Sequence, residues 1–256
     1  MFRVTFDRNV WTRICSSEQI SNPVIESLRK SISRGGLEGF IPEVAFTLEG
    51  LTKKRRKAFL STYEAKADCK IDTKRLDGKI GMDFSIEPNL EAWHDDDSRL
   101  CRELQQIEAW GFKLLRCVRV AKITNPNIDE TLFVRSPTEE TLETIYRFAE
   151  CADTIEHLGA GIFHIKRIGE NYSTNWRLGI VNAPVTASKK IAAAIAEWAD
   201  GDGVAAHFAY SNDYFCTWDK ARKAGQDSVM APPVRSILED RFQIKFVSPE
   251  DLCGLL

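Results

Sequence analysis

The stretch that most constrains the fold lies near the end of the chain, between Asp200 and Asp219, with an acidic residue at each end. The small apolar run 204–209 favours a tightly packed helix, and the β-rich run 214–217 favours a buried strand that ends at Asp219. In an open parallel α/β sheet, helix starts and the carboxyl ends of strands lie along one edge, where such folds bind ligands. We therefore expect Asp200 and Asp202 to lie beside Asp219. The alternative for each end by itself is structural, because Asp also caps helices and opens turns.

Composition places the chain among globular proteins without naming a partner. Its 256 residues suffice for a substantial core, and a formal charge of −2 provides no bulk basic field for a polyanion. The amino terminus has no apolar signal region, and no apolar stretch is long enough to span a membrane. Seven cysteines, an odd number without a CxxC pair, indicate reduced thiols, and the four scattered histidines argue against zinc. We expect a cytoplasmic protein.

Two further acids are expected at the same sheet edge from the first part of the chain. The run 2–6 is typical of a buried strand, and it delivers Asp7 to a loop. The run 37–44 predicts a second strand, followed by a helix over 46–60. Glu49 then lies in the first turns of that helix, beside the same edge.

The centre of the chain has a different pattern, which predicts an inserted α/β element over 61–135. Loose alternation over 68–86 surrounds a hairpin signal at Asp77-Gly78, a short amphipathic helix is expected over 98–110, and 112–123 is β-rich. The basic run 53–57 that precedes the insertion covers every face of a helix. A solvated surface is therefore its default interpretation, and a phosphate-contacting patch is the alternative.

The second half contains several helix signals and one segment that the pattern does not resolve. Residues 136–139 form a capping box that opens a helix to about 158, and 188–199 is helical. Between them, 162–185 contains β-rich pieces, in which a third core strand is expected but cannot be located.

Taken together, these pieces resemble the PIN-domain nucleases. The features that carry the resemblance are Asp7-x-Asn9-Val10 after the first strand, Glu49 after the second, Asp200 ahead of Asp219, Thr217-Trp218-Asp219 after a strand, and the ending 245–250. The match covers about 1–60 and 185–256 and leaves the middle unmatched. Four acids in the family's order carry more weight than any single piece.

The resemblance implies one compact domain over 1–256, a three-layer α/β/α sandwich around a parallel sheet, with 61–135 as an inserted lobe. It also implies acids that bind Mg²⁺ or Mn²⁺ and cut RNA. Asp7, Glu49, Asp200 and Asp219 match the family's acidic quartet, while Asn9 and Thr217 match supporting polar residues. Asp202 is an alternative third acid, and Glu43 is a weaker rival to Glu49.

Phosphodiester hydrolysis explains why such residues are needed. A water must lose a proton, and charge on the phosphoryl oxygens must be neutralised; hard divalent cations serve both purposes and prefer carboxylate ligands. We expect Asp7 and Asp219 to be direct ligands, Asp200 or Asp202 to hold a second metal, and Glu49 to be a ligand or to orient water.

Two other functions remain as alternatives. One is a non-catalytic PIN-like module that binds RNA or protein. The energetic cost of bringing four negative charges together without a cation argues against this alternative. The other is a phosphatase or phosphoacceptor of a different doubly wound fold, with Asp7 as nucleophile. Within the nuclease hypothesis, a toxin with an antitoxin-like partner, an RNA-processing enzyme and a defence enzyme all remain open, as does a homodimer.

Overall fold

The computed structural model describes residues 1–16, 22–48, 60, 65–76, 79–88, 98–119, 123, 130–134, 142–220 and 225–256. The strands are β1 (Phe2–Phe6), β2 (Leu37–Pro42), β3 (Ala65–Leu76), β4 (Lys79–Pro88), β5 (Lys113–Leu115), β6 (Tyr214–Cys216) and β7 (Phe246–Val247). The helices are α1 (Arg8–Cys15), α2 (Pro23–Ser33), α3 (Val44–Thr47), α4 (Ser98–Ala109), α5 (Leu142–His157), α6 (Ile162–Glu170), α7 (Trp176–Asn182), α8 (Ser188–Ala209), α9 (Pro232–Phe242) and α10 (Pro249–Leu255). Across these ranges no helix combines the length and apolar character that a membrane crossing requires.

The centre of the fold is a five-stranded parallel sheet in the order β5-β2-β1-β6-β7. The middle strand β1 pairs with β2 from Phe2 opposite Leu37, and with β6 from Val4 opposite Tyr214. The first and last parts of the chain therefore meet at the middle of the sheet. Their carboxyl ends form one edge.

Successive residues of the strands alternate between two hydrophobic cores, as the pleat of a β-strand requires. On β2, Phe40 packs into one core and Ile41 into the other; on β6, Phe215 and Cys216 divide in the same way. Helices α5, α6, α8 and α9 cover the first face, and α1, α2, α4 and α10 cover the second. The protein is thus a mixed α/β fold with helical layers on both sides of a parallel sheet.

Several local predictions are confirmed. Asn22 caps α2, its Oδ1 accepting from the backbone N–H groups of Val24 and Ile25 at 2.9 and 3.3 Å, with Pro23 at the first helical position. β3 and β4 form the antiparallel hairpin expected around Asp77-Gly78, although the turn itself lies outside the described residues. So do most of the predicted helix 46–60, the basic run 53–57 and the capping box 136–139.

Two predictions about the sheet are wrong. The third core strand is β5, which pairs with β2 and lies inside the segment assigned to an inserted lobe, so Lys113–Leu115 belongs to the main sheet. The segment 162–185, expected to contain β-rich pieces, forms helices α6 and α7. Gly169 and Gly179 let these helices touch, because a Cβ on Gly169 would lie 2.0 Å from the Trp176 carbonyl oxygen. Gly169 and Gly179 are therefore packing positions between the two helices.

Helix α8 is longer than predicted. It runs unbroken through the expected boundary, so Asp200 and Asp202 lie in its middle and do not cap its start. A Cβ on Gly201 would lie 3.2 Å from the Cα of Gly161. The absence of a side chain therefore lets α8 come close to the start of α6. The DGDG sequence that suggested a helix start therefore serves close packing in mid-helix.

Candidate active site

Asp7 is placed by the junction of β1 and α1. It leaves the strand with extended backbone (φ −67°, ψ 156°) and caps α1, its Oδ1 accepting from the Arg8 backbone N–H at 2.6 Å. A carboxylate at a helix N-terminus also interacts favourably with the helix dipole. The cap fixes one carboxylate oxygen of Asp7 at the carboxyl end of the central strand.

The second oxygen of Asp7 is held by two side chains that sequence analysis had assigned to a supporting role. Oδ2 accepts from the Thr217 hydroxyl at 2.6 Å and from Asn9 Nδ2 at 2.5 Å. Thr217 Oγ1 accepts in turn from the backbone N–H of Asp219 at 2.9 Å, and Asn9 Oδ1 accepts from that of Trp218 at 3.1 Å. The ends of β1 and β6 are therefore joined by one hydrogen-bond network.

The electrostatics of Asp7 reflect its burial. Burial raises the pKa of Asp7, the hydrogen bonds from Thr217, Arg8 and Asn9 oppose that rise, and the negative charge of Asp219 adds to it. Asp219, which lies on an exposed part of the loop after β6, is thus near enough to Asp7 for their charges to interact.

Asp200 joins Asp7 from the opposite side. Both residues line one small cavity at the carboxyl edge of the sheet, and Arg8, Pro42 and Gly203 contribute to its wall. Asp200 reaches the cavity from the middle of α8, although sequence analysis had placed it at a helix start. Asp7, Glu49, Asp200 and Asp219 were expected in one pocket: Asp7 and Asp200 line this cavity, Asp219 is not among its lining residues but interacts electrostatically with Asp7, and Glu49 lies outside the described residues.

Asp202 lies in a different environment. It is fully buried, and its Oδ1 accepts from Arg119 Nη2 at 2.6 Å and from Nε at 3.2 Å. Burial raises the pKa of Asp202, and the charge of Arg119 opposes that rise. Asp200 lines the cavity with Asp7, whereas Asp202 is not among the described residues that line it.

Glu43 is likewise committed to an internal ion pair. Its carboxylate, which is fully buried, accepts from Arg116 Nη1 and from the Ile123 backbone N–H, both at 2.6 Å. Burial raises the pKa of Glu43, and Arg116 opposes the rise. Glu43 therefore anchors the chain after β5 to the end of β2. Its rival Glu49 lies outside the described residues.

Arg8 was not among the site residues predicted from the sequence. Its guanidinium lies in the wall of the Asp7–Asp200 cavity, donating from Nη1 to the Ala45 carbonyl at 2.6 Å and pairing through Nη2 with Glu103 at 3.3 Å. The available signal was a cation directly after the strand-end acid. Arg8 brings positive charge to a cavity that two carboxylates share.

Two further observations bear on the function of this site. Within the described ranges, no three His, Cys, Asp or Glu side chains are close enough together to form a metal-binding group. No family model matches the chain, and no characterised relative or solved structure matches it. The functional argument therefore depends on the geometry of Asp7, Asp200 and Asp219.

Proposed function

We propose that the protein is a metal-dependent endoribonuclease of the PIN-like type, which hydrolyses RNA phosphodiester bonds at the edge where Asp7, Asp200 and Asp219 lie. The observation that carries the proposal is that Asp7 and Asp200, from opposite ends of the chain, line one cavity. Asp219 lies close enough to raise the pKa of Asp7. Like charges brought together at a ligand-binding edge favour a cation as their partner.

The residues present suit Mg²⁺ or Mn²⁺ in donor chemistry. Carboxylate oxygens are the preferred ligands of hard cations, and Mg²⁺ is commonly held by one or two carboxylates with waters and phosphate oxygens completing its shell. Asp7 accepts three hydrogen bonds from described residues, and an ionised carboxylate has about four acceptor positions. Asp7 and Asp200, which line one cavity, would hold the metal, with Asp219 or Glu49 as further candidates. When bound, the cation would supply charge neutralisation and an acidified water.

The neighbouring side chains would orient the site. Thr217 and Asn9 fix the Asp7 carboxylate by hydrogen bonds to one oxygen, and the α1 backbone fixes the other. Arg8 would add a positive charge near the phosphate of RNA, while its bonds to Ala45 and Glu103 hold it in the cavity wall. Such pre-positioned groups stabilise developing charge without rearrangement.

The test is cleavage of a mixed-sequence RNA with Mn²⁺, with Mg²⁺ and with chelator. We expect cleavage with either cation and none with chelator. Asp7→Asn should reduce the cleavage rate by at least about a hundredfold, because the amide is a poor ligand for a hard cation. Asp240→Asn is the matched control, since Asp240 is an exposed acid on α9 far along the chain from the site.

The outcomes separate the two leading functions. Metal-dependent cleavage lost in Asp7→Asn and kept in Asp240→Asn supports the nuclease. RNA binding without cleavage under every metal condition would replace it with the non-catalytic PIN-like binding module. Hydrolysis of a small phosphomonoester through a covalent intermediate on Asp7 would favour the phosphatase alternative.

A further inference from the structure

A second, larger cavity lies beside the amino-terminal half of α8. Its volume is about 500 Å³, and it is open to solvent. Helix α6 provides one wall, α8 provides another, and the loop at Gly225 and Ser228 closes the third side. A cavity of this size accommodates a small organic ligand.

Cations dominate one part of the cavity lining. Arg167 from α6 and Lys190 from the first turn of α8 both line it, and His164 lies beside Arg167 on the same helix. Among the ion pairs formed by the described residues, neither Arg167 nor Lys190 takes part. The cavity therefore has a cationic residue on each of two walls, α6 and α8, and no ion pair among the described residues neutralises either.

The remainder of the lining combines an apolar surface with three polar side chains, Asn171, Glu197 and Ser228. Ile168, Ala193 and Ala194 form a hydrophobic surface. Glu197 lines the cavity and binds the loop, its Oε1 accepting from the Val229 N–H and its Oε2 from the Ser228 hydroxyl at 2.9 Å. The Glu197 carboxylate keeps further acceptor positions for a ligand that carries hydroxyl or amino donors.

The two cations, the apolar surface and the Glu197 carboxylate together match a ligand that has an anionic group, a flat apolar part and hydroxyl donors. A simple inorganic anion would leave the apolar surface and Glu197 without contacts. A neutral nucleoside would leave Arg167 and Lys190 without a partner. A nucleotide presents its phosphate, base and ribose hydroxyls together.

We propose that this cavity binds a nucleotide, with its phosphate between Arg167 and Lys190 and its base against Ala193 and Ala194. The site adjoins Asp200 through α8, with Glu197 one helical turn before it. Nevertheless, it uses none of the residues assigned to RNA hydrolysis, and it goes beyond the proposed nuclease function. A nucleotide could arrive free or as the phosphorylated end of an RNA strand.

The test measures binding of adenosine 5′-monophosphate to the full chain by isothermal titration calorimetry, in chelator so that metal-dependent chemistry does not contribute. We expect saturable binding with a Kd on the order of 0.1–1 mM, weakening as salt is raised. Adenosine should bind at least about tenfold more weakly, because charge-assisted hydrogen bonds to phosphate provide much of the affinity.

Substitution at adjacent lysines provides a matched comparison. Lys190→Gln should weaken binding about tenfold or more, while Lys189→Gln, which changes an exposed lysine outside the cavity lining, should alter it less than twofold. Ala193→Phe adds a bulky ring at the apolar surface where the base is placed, without removing a charge, and should weaken binding about tenfold or more. Equal losses in both lysine variants, unchanged binding in Ala193→Phe, or equal affinity for adenosine would each overturn the proposal.

A third arm distinguishes the two sources of the phosphate. A 5′-phosphorylated RNA tetramer and its 5′-hydroxyl counterpart are titrated into the same proteins. Tighter binding of the phosphorylated tetramer than of the mononucleotide, lost in Lys190→Gln, supports an RNA end as ligand. Equal or tighter binding of the mononucleotide supports a free nucleotide. Because this binding is measured without metal, failure of the nuclease proposal would leave its result intact.

Discussion

The Thr217 hydroxyl donates to Asp7 Oδ2 at 2.6 Å, and this hydrogen bond joins the carboxyl ends of two adjacent parallel strands. The same hydroxyl oxygen accepts from the Asp219 backbone N–H at 2.9 Å and from Asn9 Nδ2 at 3.1 Å. One side chain therefore holds the Asp7 carboxylate and shapes the loop that carries Asp219. The position of Asp219 depends on Thr217 as much as on the strand before it.

Replacing Thr217 with Val should test this relationship. Val has the same shape but removes the donor to Asp7, so we expect a loss of about 2 kcal/mol in the free energy of unfolding. The pKa of Asp7 should rise further, since the Thr217 hydrogen bond opposes its rise. If the site is catalytic, cleavage should fall about tenfold or more, as for other groups that orient ligands. Urea unfolding, an NMR titration of Asp7 and the RNA assay measure the three effects.

Thr217→Ser is the matched control, because it retains the hydroxyl and loses only a methyl group. It should stay close to the parent protein in the Asp7 titration and in cleavage. An unchanged pKa of Asp7 in Thr217→Val would contradict the role assigned to this hydrogen bond.

Asp219→Asn should separate metal binding from turn structure. The amide keeps the side-chain shape and removes a charge that raises the pKa of Asp7, so that pKa should fall. In chelator, the variant should be more stable than its parent by a few tenths of a kcal/mol, because repulsion between acids is relieved. Stabilisation by Mn²⁺ should shrink, since binding to the folded state alone provides it. Thermal melting with and without Mn²⁺ measures both effects, and Asp240→Asn should leave both unchanged.

A variant that melts below its parent in chelator and still cuts RNA would make Asp219 a structural turn residue.

Local sequence signals predicted the central strands of the sheet but not that β5 forms one of its edges. β1, β2 and β6 are apolar runs bounded by turn residues, and their pairing follows from the parallel α/β pattern. β5 lies within the predicted β-rich run 112–123, but that run was assigned to the inserted lobe and not to the main sheet. Its pairing with β2 is a tertiary contact, which local pattern does not encode.

The acidic residues likewise divide into those that local sequence could predict and those that it could not. Asp7 could be predicted as a strand-end acid because the end of a strand is a local signal, whereas its role as the cap of α1 was not predicted, since it was expected in a loop. The different environments of Asp200 and Asp202 could not be predicted. Both residues lie within one continuous helix, and they differ in the neighbours that they contact. Arg119, which pairs with Asp202, is remote in sequence. Glu43 and Arg116 are equally remote partners.

His207 should make stability depend on pH. It is buried, with Nδ1 2.9 Å from Thr5 Oγ1, and burial lowers the pKa of His207 to about 3. The unfolded chain, with a histidine pKa near 6.5, binds the proton more strongly. The contribution of His207 to stability is therefore complete above about pH 6.5 and is lost as pH falls toward 3, with a slope of at most about 1.4 kcal/mol per pH unit.

His207→Gln isolates this contribution from the acids that titrate in the same range. The variant should be less stable than the parent at pH 7, and the difference should shrink as pH falls from 6.5 to 4. Urea unfolding of both proteins at several pH values measures it. A difference that stays constant over that interval would show that His207 does not become protonated on unfolding.

The last prediction distinguishes Asp200 from Asp202, which sequence analysis left as alternatives. Asp200 lines the cavity with Asp7, whereas Asp202 is fully buried against Arg119. Asp200→Asn should therefore change the free energy of unfolding in chelator by less than about 0.5 kcal/mol, while cleavage and stabilisation by Mn²⁺ both fall sharply.

Asp202→Asn should give the opposite pattern. It leaves the Arg119 guanidinium, which is 22% exposed, with Glu156 at 3.6 Å and the negative charge of Asp153 nearby. Breaking a buried pair on one side costs more than removing both charges, so we expect a loss of about 2–3 kcal/mol. The double variant Asp202→Asn/Arg119→Met should recover part of that loss, and both variants should keep Mn²⁺ stabilisation and cleavage per folded molecule. If Asp202→Asn instead abolishes cleavage without loss of stability, and Asp200→Asn cuts RNA normally, then Asp202 is the catalytic acid and the Asp7–Asp200 cavity is not the site.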